Sequence, residues 1–539
     1  MDLPTNYNIS DPGARPGPPP AGEHRKLTRA AGVVGLATLA SRVGGFVRDL
    51  VVAYFFGAGP AADAFFVAFR IPNLLRRLLA EGTLTIAFIP VFTEELARKG
   101  RQEAFLLARS TFGLLGLALL VICGLGVVFS PQVVRAMAPG WPPGGPAFDL
   151  AVKLTRWCFP YIFFVSLTAL AAGVLNSLDH FFAPAASPVL LNLCLILCAA
   201  LLARHVDPPV LSLAVGVILG GLGQLLLQLP FLKARGLRLT PAWNWRSPAL
   251  RRIMRLMGPA AFGAAIYQLT VFINTVLASL LASGSVSYLY YADRLIEFPL
   301  GIFAIAISTA VLPSLSRQAA AGDQAALKAT MAYGLRLTMF INLPAMAGLI
   351  VLAQPLVLLL FARGEFSPAD AQATAAAVVG YGAGLWAFAA LRGVLPAFYA
   401  LKDTRTPVKV GAVCLAVNLG LSLALMEPLR HVGLALATSL TSAVNLGLLL
   451  WLLRRRLGPL GGREMLASCL RCGLAALVMA GAVWAVVHLP DWGPAQGHGH
   501  RLARPLAGLG AGLAVYLGLA WLLRLRELGE LMQMVRRRG

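Results

Sequence analysis

Long apolar runs, separated by short polar loops, recur along almost the whole chain. A membrane-spanning helix needs about 20 mostly apolar residues, and runs of this length account for most of the sequence. Several runs exceed that length, which indicates tilted or broken helices. The pattern predicts an all-α polytopic membrane protein with about fourteen transmembrane segments, at approximate positions 31–56, 62–95, 105–129, 150–176, 186–203, 209–232, 257–281, 286–315, 330–353, 370–400, 407–426, 431–453, 466–488 and 503–525.

Composition supports this reading. Of the 539 residues, 58% are hydrophobic and 13% are charged, whereas a soluble domain carries about 25% charge. The formal net charge is +23, but the basic residues fall mainly in short loops between apolar runs. That placement is typical of membrane topology and argues against a nucleic-acid partner. Residues 1–28 are rich in Pro, Gly and charge and lack an apolar signal core, so we expect a disordered cytoplasmic tail.

Lys and Arg predict the orientation of the segments. The loops after segments two, six and twelve are basic, whereas loops 57–61 and 282–285 have no Lys or Arg. The positive-inside rule therefore predicts that both termini are cytoplasmic, in keeping with an even number of segments.

The second half of the chain repeats features of the first at nearly constant spacing. The matched pairs, 219, 221, 221 and 223 residues apart, are Pro188 with Pro407, Gln224 with Asn445, Lys233 with Arg454, and Pro90 with Pro313. This spacing predicts two duplicated lobes of six helices each. Because six is an even number, the two lobes would have the same orientation in the membrane, with a site between them near mid-membrane. We predict an N-lobe at 29–233, a basic cytoplasmic linker at 234–255, a C-lobe at 256–455, and two further helices with a basic tail at 456–539.

Charged residues inside the apolar segments are the candidate functional residues. Each costs on the order of 3 kcal/mol to insert and usually faces a cavity. They are Arg42, Arg48 and Asp49 in segment one, Asp63, Arg70, Arg76, Arg77 and Glu81 in segment two, Asp293, Arg294 and Glu297 in segment eight, and Arg392 in segment ten. At about 100° per residue, Ser287, Tyr290, Arg294 and Glu297 share one face of segment eight.

Arginine predominates in this set, and its guanidinium fork binds phosphate oxygens bidentately. The sequence therefore predicts a cationic cavity for a phosphate or diphosphate group. The alternative is a set of internal salt bridges, such as Arg48 with Asp49 and Arg294 with Glu297. The seven cysteines lie in apolar runs and the histidines are scattered, so neither a metal site nor a cofactor is predicted.

Several motifs resemble the MurJ (MviN) family of the multidrug/oligosaccharidyl-lipid/polysaccharide exporter superfamily. They are Ser41-Arg-Val-Gly-Gly-Phe-Val-Arg-Asp49, Phe56-Gly-Ala-Gly59, Ala62-Asp-Ala-Phe-Phe66, Pro72-Asn-Leu-Leu-Arg-Arg77, Ala80-Glu-Gly82, Ala282-Ser-Gly-Ser-Val-Ser287, Tyr290-Tyr-Ala-Asp-Arg-Leu295 and Glu297-Phe-Pro299. The resemblance extends from about residue 29 to the end. Gly44 departs from it, because the family usually has a larger aliphatic residue there, and this should make segment one more pliable.

The resemblance implies a flippase, not an enzyme, that carries lipid II from the cytoplasmic to the periplasmic leaflet of the bacterial inner membrane. It implies substrate binding by Arg42, Arg48, Arg76, Arg294, Asn73 and Ser287, and roles in the cavity or its gates for Asp49, Asp63, Arg77, Glu81 and Glu297. Its implied partners are lipid II, membrane lipids and the proteins of peptidoglycan synthesis. Segments thirteen and fourteen resemble a groove for the lipid tail.

Other functions remain open from the sequence. A flippase for another polyprenyl-linked oligosaccharide would need the same arginines, whereas a MATE-like drug or cation antiporter would need acids and aromatics instead. A membrane enzyme would need a metal site or a nucleophile–base pair, and a channel or scaffold would not account for duplicated lobes. Segments seven, eleven and twelve contain no acid, which argues against sodium coupling. The membrane potential, worth about 2.3 kcal/mol per charge per 100 mV, remains a possible driving force.

Overall fold

Helices make up the regular structure of the residues that the computed structural model describes, which are 21–76, 84–488 and 498–530. The helices are α1 (Ala21–Phe56), α2 (Pro60–Arg76), α3 (Thr85–Val128), α4 (Ser130–Met137), α5 (Pro146–Cys158), α6 (Tyr161–Ser177), α7 (Phe182–Leu202), α8 (Leu211–Ala234), α9 (Pro248–Ser279), α10 (Ser285–Pro299), α11 (Ile305–Ala320), α12 (Gln324–Val351), α13 (Ala353–Leu360), α14 (Pro368–Gly382), α15 (Leu385–Ala400), α16 (Arg405–Leu457), α17 (Gly462–Val487) and α18 (His498–Leu522). A π-helical turn, Leu300–Ala304, joins α10 to α11.

The predicted all-helical membrane fold is confirmed, but the helices divide differently from the fourteen predicted segments. Within the described residues, nine helices are long and apolar enough to cross a membrane, or ten if the bent pair α14–α15 is one span. Predicted segment two is divided between α2 and the start of α3. The helix α1 begins at Ala21, inside the predicted tail 1–28, and residues 1–20 of that tail lie outside the described part.

Predicted segments eleven and twelve are the two halves of α16, 53 residues in all, which meet at non-helical backbone at Arg430 (φ 51°). A straight helix of this length would span about 80 Å, far more than the roughly 30 Å hydrocarbon core. Instead the chain reverses direction within α16. The close approach of Gly433 to the carbonyl oxygen of Leu425 shows this reversal. An ion pair between Arg456 and Asp403 (3.0 Å) joins the two ends of α16, so both ends lie on the same side of the membrane.

Helix packing falls into two groups, called here the lobes, and a C-terminal pair. In the first group, α7 packs against α1 and α8, and α6 against α2, α3 and α8. In the second, α15 packs against α11, α12 and α16, and α10 against α14. The helices α17 and α18 pack against each other, and α17 also packs on α12. Large apolar side chains on this pair face outward, including Leu477 and Trp521, as expected where the surroundings are lipid.

Asp403 stabilises the start and the end of α16 together. Its Oδ1 accepts a hydrogen bond from the Thr406 backbone N–H (3.0 Å), and its Oδ2 accepts from Thr406 Oγ1 (2.8 Å). The bond from the Thr406 backbone N–H, with the nearby Arg456 guanidinium, lowers the pKa of the Asp403 carboxyl.

We expect Asp403→Ala to destabilise the protein by about 1 kcal/mol, the usual cost of losing a helix-capping side chain. Because the folded pKa is lowered, the carboxylate contributes fully above its unfolded pKa of about 3.9 and less as pH falls below that value. Thermal unfolding of the purified protein should therefore show a difference from wild type at pH 7 that shrinks in acid. Asp323→Ala is the matched control, since Asp323 caps α12 through the Ala326 backbone N–H (2.9 Å). Equal stability of wild type and Asp403→Ala at pH 7 would contradict this account.

Candidate functional site

Arg48 and Asp49 of α1 form the centre of the candidate site at the interface between the two groups of helices. Asp49 is 2% exposed. Its Oδ1 accepts hydrogen bonds from Arg48 Nε (3.0 Å) and Nη2 (2.7 Å). Tyr290 of α10 donates its hydroxyl to the same oxygen (3.1 Å) and accepts from Arg48 Nη2 (3.2 Å). Oδ1 of this buried carboxylate thus accepts hydrogen bonds from both groups of helices, and a buried charge requires such partners.

Arg294 of α10 approaches the same carboxylate from the second group of helices. Its Nε lies 3.5 Å from Asp49 Oδ2, and its guanidinium carbon lies 4.8 Å from the ring centre of Tyr290. Its Nη1 pairs with Glu297 Oε2 at 2.7 Å. Two arginines from opposite lobes therefore converge on one buried carboxylate, and the salt bridges considered as an alternative are part of this cluster.

Two other predicted arginines, Arg42 and Arg76, make contacts of their own. Arg42 reaches the π-helical turn, where its Nη1 occupies the space that a Cβ on Gly301 would take. Arg76 Nε donates to Asn73 Oδ1 (3.0 Å) within α2. The predicted residues Arg77 and Glu81 lie outside the described residues.

Asp63 of α2 forms a second contact between the lobes, at the start of α10. Its carboxylate accepts from the Gly284 backbone N–H (2.6 Å), the Ser287 backbone N–H (2.8 Å) and Ser287 Oγ (2.6 Å). The first turn of a helix presents unpaired N–H groups and a partial positive charge, which favour a carboxylate there. The structure thus places Ser287 in this lobe contact with Asp63, not beside the arginines.

Backbone groups extend this contact in a way that the sequence did not indicate. The Tyr291 hydroxyl donates to the Gly57 carbonyl oxygen (3.1 Å), and the Glu365 N–H donates to the Tyr54 carbonyl oxygen (2.9 Å). Gly57 has a positive φ of 61°, and a Cβ there would lie 2.5 Å from the carbonyl oxygen of Glu365. The α1–α2 turn, the start of α10 and the loop before α14 therefore meet as one closed contact, called here the outer contact after the orientation proposed below.

Two further polar residues make contacts to which the sequence assigned no role. Arg70 of α2 donates from Nε to Thr275 Oγ1 of α9 (3.0 Å), and Asn192 of α7 accepts from Arg48 Nη1 (3.0 Å). Arg70 was visible as a charge within an apolar segment. Asn192 carries no charge, and a single amide in an apolar run gives little sequence signal.

Comparison with known proteins identifies the family. The model of the family described as "Lipid II flippase MurJ" matches residues 52–496. A "Probable lipid II flippase MurJ" from Vibrio cholerae serotype O1 is 40% identical over 511 residues, covering 93% of this chain and 97% of the relative. The chain belongs to the MurJ lipid II flippase family. A "Lipid II flippase MurJ" from Burkholderia cenocepacia, another relative, is 38% identical over 503 residues, covering 92% of this chain and 97% of its own length.

Solved structures support the fold of this MurJ family member. A "Lipid II flippase MurJ, inward closed conformation" superposes with a TM-score of 0.76 at 24% identity, covering 91% of this chain and 98% of the other. An inward-facing MATE family multidrug transporter of the MOP superfamily gives a TM-score of 0.62 at 15% identity, covering 78% and 96%. The fold of the chain is thus similar to the folds of these MurJ and MATE structures, and the chain is a multi-pass membrane protein of a flippase family.

Asp63→Asn should loosen the outer contact, because an amide cannot accept hydrogen bonds at both of its ends. Hydrogen bonds to a charged acceptor contribute about 1.5–3 kcal/mol, so we expect the amides of Gly284 and Ser287 to exchange with deuterium at least about tenfold faster. Hydrogen–deuterium exchange with mass spectrometry measures this.

Ser285→Ala is the control for this experiment, since the Ser285 hydroxyl bonds the Ala282 carbonyl oxygen within its own turn (2.6 Å). Unchanged exchange in Asp63→Asn, or equal acceleration in Ser285→Ala, would show that the carboxylate does not hold the contact.

Proposed function

We propose that this chain moves lipid II, the diphosphate-linked peptidoglycan precursor, from the cytoplasmic to the outer leaflet by alternating access. The observation that carries the proposal is the convergence of Arg48 and Arg294, from opposite lobes, on the buried carboxylate of Asp49. The name that the relatives bear supports the substrate.

The chemistry of the cluster suits a diphosphate. Each guanidinium presents several N–H donors in a planar fork that matches two phosphate oxygens, and it stays charged at any physiological pH. The Asp49 carboxylate lies between the two guanidinium groups. A diphosphate that enters the site would therefore replace one carboxylate at a position that already holds an anion. Arg42, and Arg76 held by Asn73, would extend the basic surface on either side.

The outer contact suits an inward-loading state. Asp63, Ser287 and Tyr291 tie the lobes together at the α1–α2 turn and the start of α10. In the proposed cycle the headgroup binds from the cytoplasmic side, the lobes rock, and these bonds break to release it outside. The polyprenyl tail would stay in lipid beside α17 and α18, whose outer faces are apolar.

A cation antiporter fits the site less well, although its fold is similar. Two arginines at the centre would repel a cationic drug. A flippase for another polyprenyl-diphosphate-linked oligosaccharide would use the same diphosphate clamp, and a substrate panel separates it from lipid II.

Arg48→Ala and Arg294→Ala should each reduce lipid II translocation in proteoliposomes by at least about tenfold, since each removes a charge-assisted contact worth about 1.5–3 kcal/mol. Lysine at either position should restore part of the activity, because it keeps the charge but not the fork. Translocation is measured as lipid II made accessible to an enzyme outside the vesicle, with a second polyprenyl-diphosphate sugar run in parallel.

Arg317→Ala is the matched control, as Arg317 is exposed and donates to Ser314 within α11 (3.2 Å). Normal translocation by both alanine variants would exclude the arginine clamp, and faster movement of the second sugar lipid would reassign the substrate.

The proposed orientation places the lobe linker in the cytoplasm and the α9–α10 turn outside. A membrane-impermeant maleimide should therefore label Ser283→Cys in intact spheroplasts, and Arg246→Cys only after permeabilisation. The wild-type protein is the background control, since its seven cysteines are buried or half-buried. The reverse labelling pattern would overturn the assigned orientation.

A further inference from the structure

Asn192 of α7 is a buried side chain that bridges two parts of α1. We propose that it is a positioning residue for Arg48, holding the guanidinium in place for the anionic headgroup; this rests on the proposed function. Asn192 is 6% exposed and lies within a largely apolar helix.

Both ends of the Asn192 carboxamide are used. Its Oδ1 accepts from Arg48 Nη1 (3.0 Å), and its Nδ2 donates to the Ser41 carbonyl oxygen (3.0 Å). Arg48 and Ser41 are seven residues apart, which is about two helical turns. The Asn192 side chain on α7 therefore links the Arg48 guanidinium to the backbone of α1 about two turns earlier.

The stretch of α1 between these two points contains Gly44 and Gly45. Both glycines face Asn192, since a Cβ on either would lie 3.6 Å from an Asn192 atom. Glycine in a helix interior adds backbone freedom and favours bending. Asn192 spans this pliable stretch, so it fixes the position of Arg48 relative to the preceding turns of α1.

The chemistry of the position requires an amide. The oxygen must face the guanidinium, which has only donors, and the nitrogen must face a carbonyl, which has only acceptors. Aspartate has the same shape but would set a second oxygen against the Ser41 carbonyl, and leucine would satisfy neither group. Because binding otherwise has to order a flexible arginine, holding Arg48 in advance favours affinity.

The direct test is a double-mutant cycle on lipid II affinity, measured with the purified full chain in nanodiscs. Asn192→Leu should raise the Kd for lipid II about tenfold. In an Arg48→Ala background the same substitution should change the Kd by less than about twofold, because a residue that acts through Arg48 has nothing left to position.

Gln224→Leu is the matched control. Gln224 of α8 is another buried amide, and it donates to the Ser187 carbonyl oxygen of the same helix α7 (3.1 Å). It should lower the thermal stability of the protein yet leave the Kd for lipid II within about twofold of wild type.

Each outcome decides the matter. An equal loss of affinity from Asn192→Leu in both backgrounds, or from Gln224→Leu, would overturn the positioning role. If Asn192→Leu does not insert, Asn192→Ala takes its place in the cycle, and failure of both to insert would assign Asn192 a purely structural role. If Arg48→Ala itself leaves lipid II affinity unchanged, the proposed function fails; if only Asn192→Leu leaves it unchanged, this inference alone fails.

Discussion

The two lobes are organised around ionised groups that have been taken out of water. A carboxylate as buried as Asp49 is tolerated inside a membrane protein only with compensating charge and hydrogen bonds. Arg48, Tyr290 and Arg294 supply them, and two of these belong to the opposite lobe. Separating the lobes would take Asp49 away from Arg294, and in the proposed cycle the anionic headgroup would take the place of this carboxylate beside the guanidinium groups. In that cycle, substrate binding and lobe movement would be linked through the same few atoms.

The outer contact relies on a different principle, in which one carboxylate meets the unpaired N–H groups at the start of a helix. Asp63 satisfies the first turn of α10 across the interface, so α10 carries a lobe contact at its start and an arginine of the central cluster further along. A movement of this one helix would alter both contacts together. The π-helical turn after Pro299 lies against Arg42. It interrupts the α-helical pattern of backbone hydrogen bonds just beyond Arg294, and such turns often mark places where a helix can adjust.

Much of this could be read from the sequence, and the reasons for the misses are physical. Apolar periodicity and the positions of charges predicted the helical membrane fold and the face of α10 that carries Tyr290 and Arg294. The helical face of Ser287 was predicted, but the partner of its hydroxyl depends on how far along α10 it lies, and at that level it meets Asp63. The role of the loop before α14 was invisible, because its contact with Tyr54 uses main-chain atoms that every residue type shares. Asn192 was missed since its importance depends on α7 packing beside Gly44 and Gly45.

The backbone character of the outer contact has an evolutionary consequence. The hydrogen bond from the Glu365 N–H to the Tyr54 carbonyl oxygen joins main-chain atoms, which are present whatever side chains these residues carry. The Gly57 carbonyl oxygen, which accepts from Tyr291, is likewise a main-chain atom. Substitutions on the exposed surface there can therefore accumulate without removing the bond between Glu365 and Tyr54. The side chains that the outer contact does need are those of Asp63, Ser287 and Tyr291, and Gly57 must lack one.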